Sequence, residues 1–132
     1  MKYIIAYLAT AATFLICDLL WLGFVARDFY RSQYGPLMAD PIQMLPAIAF
    51  YVLFVLGVVI FVVAPALATG RIFDAVLYGF LFGLIAYATY DLTSLAIIKD
   101  FPVRAALVDM IWGGVVTAIS SVAAITAVQK LL

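Results

Sequence analysis

Four apolar stretches, at about 3–26, 42–68, 73–98 and 103–129, take up most of this chain. Each reaches the roughly 20 residues that a helix needs to cross the hydrocarbon of a bilayer. The expected fold is therefore all-α: a four-helix antiparallel transmembrane bundle, with residues 1–132 forming a single transmembrane domain. Composition agrees, because 69% hydrophobic and 11% charged residues over 132 positions, with a mean hydropathy of +1.25, are too apolar for a soluble domain of this size. The opening Met1-Lys2 and its apolar run imitate a secretory signal. The run continues to Val25 with no small-x-small cleavage site at its end, so it is expected to be a retained first span.

Charge narrows the chemistry further. Seven Lys/Arg balance seven acidic residues, and there is no histidine. Such a chain has no field for nucleic acid, which is not expected as a partner. The single Cys17 rules out a disulfide within one chain and reads as a packing residue. Without histidine the usual haem ligand and the commonest general base are missing. No cofactor and no metal are expected, and any chemistry falls to Asp, Tyr, Ser or Thr.

Polar punctuation separates the spans. Asp40-Pro41 and Asp100-Phe101-Pro102 each place a carboxylate where it can cap the following helix. Gly70 is expected to stop the second helix, and Asp74 to sit in the first turn of the third. The connection from Arg27 to Pro36 mixes cations with Phe and Tyr, which suits the membrane interface. Arg27, Arg31, Lys99 and Arg104 then form a rim on one side that can hold a phosphate or simply anchor the helices. Lys2, Arg71 and Lys130 nearly balance them on the other side, so flanking charge gives only a small bias towards a cytoplasmic rim. Gly79 and Gly83 form a GxxxG pattern, and Gly113, Thr117 and Ser121 a small-residue ridge. These allow close helix packing, within one chain or between the protomers of a homodimer. The second span carries no charge from Met44 to Val63 and is expected to face lipid.

Against that background three acids stand out, because a carboxylate near mid-bilayer costs about 2.5–3.5 kcal/mol on insertion scales and marks a functional site by default. At about 1.5 Å per helical residue, Asp18 lies roughly 13 Å inside Arg27, Asp91 roughly 12 Å inside Lys99 and Asp109 roughly 7 Å inside Arg104. All three belong to the same half of the bilayer. Helical spacing groups Asp18 with Trp21, Asp91 with Tyr87 and Ser94, and Asp109 with Trp112. Lipid cannot satisfy these stripes, so they are expected to face one another inside the bundle. Asp18-x-x-Trp21 and Asp109-x-x-Trp112 echo each other on antiparallel helices, and their indoles are expected to line one slot at different heights. No Lys or Arg lies deep enough to pair with the acids, so the site is expected to hold a proton or seek a cation.

The pieces Asp18-x-x-Trp21-Leu22-Gly23, Ala26-Arg27-Asp28-Phe29-Tyr30, Tyr87-Ala88-Thr89-Tyr90-Asp91-Leu92-Thr93, Pro102 and Asp109-x-x-Trp112-Gly113 together resemble a bacterial family of predicted membrane proteins, domain of unknown function 2177. The resemblance spans nearly the whole chain. It implies a four-helix membrane protein, and it carries no established activity. The residues themselves suggest an intramembrane site with Asp18, Asp91 and Asp109 as its acid-base groups. Trp21, Tyr87, Tyr90, Ser94, Trp112, Arg27 and Arg31 are then expected to bind a membrane lipid or another lipid-like, hydrophobic small molecule. A proton-coupled exporter of hydrophobic cations acting as a dimer is one alternative, and an accessory subunit of a larger membrane complex another. A three-carboxylate divalent-metal site is the weakest of the readings. The expected location is the bacterial cytoplasmic membrane.

Overall fold

The computed structural model describes residues 1–35 and 43–132. Its helices are α1 (Lys2–Leu20), α2 (Arg27–Tyr34), α3 (Met44–Val58), α4 (Ala64–Thr69), α5 (Ile72–Ile97) and α6 (Val103–Leu131). A π-helical turn, Trp21–Val25, extends α1, and another, Val59–Val63, joins α3 to α4. Four membrane-length spans result, Lys2–Val25, Met44–Thr69, Ile72–Ile97 and Val103–Leu131. The chain is an all-α, four-helix antiparallel transmembrane bundle, with span ends within about two residues of the sequence estimate wherever they are described, as expected for helix boundaries.

The π turn in the second span has a local cause. Pro65 sits in the first turn of α4, and a proline inside a helix removes one hydrogen bond and clashes with the carbonyl four residues back. The widened turn Val59–Val63 just before it relieves that clash. At the end of the first span the Ala26 amide reaches back to the Trp21 carbonyl at 2.7 Å. Ala26 then leaves helical geometry (φ −113°, ψ 11°) and turns the chain into α2.

The most extensive packing is between α5 and α6, and α1 is the next helix against α6. A Cβ on Gly79 would come to 3.1 Å from Ala118 Cα, and one on Gly83 would strike the Gly113 carbonyl and Thr117. The GxxxG pattern and the small-residue ridge therefore serve contact within the chain. Thr117 and Ser121 hydroxyls donate to the carbonyls of Gly113 (2.6 Å) and Thr117 (2.7 Å), which keeps the ridge internally satisfied.

Two expectations are corrected. The second span does not simply face lipid: Phe54, Val55, Val58, Val59, Val62, Val63 and Ala66 are buried and supply a large share of the apolar core, while Leu45, Leu53 and Phe61 point outward. Absence of charge marks a span as apolar on every side, but it does not say which side packs. Asp100 does not cap α6 either. The preceding position is Pro102, with no side-chain cap, and Asp100 instead takes a left-handed backbone (φ 60°) in the turn after α5. Gly70 does end α4 in the left-handed region (φ 73°). Asp74 lies in the first turn of α5, accepting from Thr69 Oγ1 at 2.8 Å and pairing with Arg71 at 3.3 Å. Asp40-Pro41 lies outside the described residues.

Candidate functional site: an acidic and aromatic layer

The layer forms because antiparallel spans bring the end of the first, the start of the second, the end of the third and the start of the fourth to one side of the bundle. Asp18 is 5% exposed and Asp91 0%, while Asp109 is half-buried. On α1 the buried face runs Ala6, Thr10, Phe14, Asp18, so the carboxylate continues an inward stripe at spacings of four. Asp91 and Ser94 share the buried face of α5.

The two D-x-x-W motifs are cross-linked. The Trp112 indole N–H donates to Asp18 Oδ1 at 3.1 Å. The Trp21 N–H donates to the Tyr30 hydroxyl at 3.2 Å, and that hydroxyl donates to Asp109 Oδ1 at 3.1 Å. The acid of each motif thus receives its hydrogen bond from the indole of the other, directly in one case and through Tyr30 in the other. Trp21 and Trp112 stack face to face, 4.4 Å between centroids and 7° between planes. The expected slot with indoles at two heights is not formed; the rings fill that space themselves, because the antiparallel motifs meet at one level.

Tyr30 enters from α2 and is 8% exposed. Burial, and then the adjacent Asp109 carboxylate, push its phenol well above the ordinary tyrosine range. It is therefore a hydrogen-bond donor at any physiological pH. Tyr34 stacks on Tyr30 (5.9 Å) and meets Phe101 edge-on (5.5 Å), and Phe101 in turn meets Tyr90 (6.0 Å). This row of rings docks α2 against the ends of α5 and α6.

Asp18 is fully served, since the Tyr51 hydroxyl donates to Oδ2 while Trp112 takes Oδ1. Asp91 is the opposite case. Its carboxyl is close enough to that of Asp109 for the two to interact, yet neither of its oxygens has a hydrogen-bond partner among the described residues. Two ionised carboxylates offer each other only acceptors.

Asp109 opens onto a cavity of about 310 Å³, lined among the described residues by Phe50, Ala86, Tyr87, Tyr90 and Asp109. Tyr87 is wedged on Gly113, where any Cβ would strike its ring. Tyr90 is 55% exposed at the outer edge. Arg27 and Arg31 are exposed on α2, and neither pairs with a carboxyl among the described residues. Among the described residues the one ion pair is Arg71–Asp74, at the other end of the bundle.

Sequence reasoning overlooked Tyr30, Tyr51 and Phe50. Tyr51 had a usable signal, because a phenol placed well inside an apolar span needs a partner for its hydroxyl. Tyr30 lies within the Arg27–Tyr34 segment and gave no periodic clue, since only the fold-back of α2 brings it to Asp109.

Fold and layer together define a small polytopic membrane protein with carboxyl groups inside its bundle. A family model described as predicted membrane protein (DUF2177) matches residues 3–126, and the chain belongs to that family. No curated protein and no solved structure matches it.

Proposed function

We propose that the protein binds a lipid-like or other hydrophobic small molecule in the Phe50–Tyr87–Tyr90–Asp109 cavity and that its carboxyl pair performs acid-base chemistry on it. The observation that carries this reading is Asp91, wholly buried and without a donor for either oxygen among the described residues. Buried polar groups are nearly always hydrogen-bonded, and an orphan demands a reason. One proton on Asp91 supplies it, because Asp91 then donates to Asp109, and Asp109, already accepting from Tyr30, stays an acceptor at the cavity wall. Asp109 is then the group that exchanges a proton with a bound molecule, and Asp91 the reserve behind it. Asp18, whose oxygens are both occupied, is a positioning residue for Trp112 and Tyr51.

The aromatic lining and the exposed edge at Tyr90 suit entry from the membrane, and the expected setting is a bacterial cytoplasmic membrane. The dimeric-exporter reading loses one support, since the small-residue ridges that would join protomers are taken up by the α5–α6 contact. Native mass spectrometry of the purified protein tests the proposal. The wild type is expected to retain a hydrophobic molecule. Ala86→Phe, which fills the cavity from its wall, is expected to lose it while keeping a cooperative melting transition. Equal retention by both proteins, or none by either, would refute a site in this cavity.

A further inference from the structure

We infer that the molecule held in this cavity carries a positive charge: a hydrophobic ammonium or similar cation whose head sits against Asp109 among Phe50, Tyr87 and Tyr90. This rests on the cavity reading above and adds the substrate class. Hydrogen-bond direction is the first argument. Indole N–H is donor-only, so the Trp21 donation to Tyr30 commits the Tyr30 proton to Asp109 Oδ1. A proton on Asp91, as proposed above, leaves Asp109 the acceptor of that pair as well. Asp109 thus accepts on both sides, as an ionised carboxylate does.

Charge balance is the second argument. An ionised carboxylate drawn away from water calls for a paired cation or metal, and no Lys or Arg among the described residues pairs with the half-buried Asp109. The counter-charge is left to a ligand. The third argument is the lining itself, because three aromatic rings around a carboxylate form the box that recognises alkylammonium groups through cation–π attraction. A cavity of about 310 Å³ lies at the low end of small-molecule sites. It accepts a headgroup and leaves an attached chain in the lipid, past the exposed Tyr90.

The test uses the full-length protein in lipid nanodiscs and three probes: octyltrimethylammonium, its neutral analogue with carbon in place of nitrogen, and octyl sulfate. The cation is expected to bind at least tenfold more tightly than the neutral analogue. Asp109→Asn is expected to erase that ratio while still binding the neutral analogue, and Asp91→Asn, whose amide still donates to Asp109, to keep it. The wild-type ratio decides even where a variant fails to fold. Equal binding of cation and neutral analogue overturns the cation assignment and leaves the hydrophobic cavity standing. Tighter binding of octyl sulfate overturns it in favour of the Arg27, Arg31, Lys99 and Arg104 rim. Binding of none of the three, with no hydrophobic molecule retained, overturns this inference together with the cavity reading.

Discussion

Asp18 and Asp91 are both buried carboxyls on inward helix faces, yet their hydrogen-bond accounts are opposite. Asp18 accepts from Trp112 and Tyr51, and in Asp18→Asn the amide oxygen can take the Trp112 bond while its NH2 donates to Tyr51. That variant is expected to keep its fold and its activity. Asp91→Asn also keeps the fold, because the amide can replace a protonated carboxyl as donor to Asp109, but it has no proton to give up. It is expected to stay within about 1 kcal/mol of wild-type stability, as substitutions that preserve the local contacts usually do, and to lose function. Complementation of a deletion strain, with melting measured in parallel, checks both; full activity in Asp91→Asn would remove the acid-base role. That three acids share one layer was readable from their spacing to the flanking cations. Which of them lacks a donor among the described residues was not, since the donors Tyr30 and Tyr51 arrive from elements distant in sequence.

The α5–α6 pair sets the geometry on which those side chains depend. Gly83 faces the Gly113 carbonyl without room for a Cβ, whereas a Cβ on Gly57 would meet only the far edge of the Phe82 ring at 3.1 Å. Overpacking costs about 1–3 kcal/mol where backbone must move. Gly83→Ala is expected to fall in that range and Gly57→Ala well below it, in thermal unfolding of the detergent-solubilised protein. Equal losses would mean that α5 and α6 are not held at backbone contact. The small-residue pattern was legible in the chain, but its partner was not, because Gly79 and Gly83 would suit a neighbouring protomer as well as α6. A similar limit applies to α2, whose aromatic and basic residues signalled an interfacial segment and left open that Tyr30 turns inward.

An even number of spans places both termini of the molecule on one side and α2 on the other. Cysteines introduced at positions 2 and 130 are expected to label from the same side and one at position 31 from the opposite side; labelling of 2 and 130 from different sides would exclude the antiparallel bundle. This much follows from sequence alone, because span length against bilayer thickness decides the crossings, and insertion cost decides that Asp18, Asp91 and Asp109 turn inward at a common depth. Both are properties of single helices in lipid, and each helix carries them in its own residues. What only the tertiary structure decided is which groups meet: the stacking of Trp21 on Trp112, the reciprocal bonds between the two D-x-x-W motifs, the Tyr51 and Tyr30 donors, and the cavity that Asp109 shares with Phe50. Those depend on the rotation and approach of one helix against another. Packing between surfaces sets that rotation, and the pattern within any one span does not contain it.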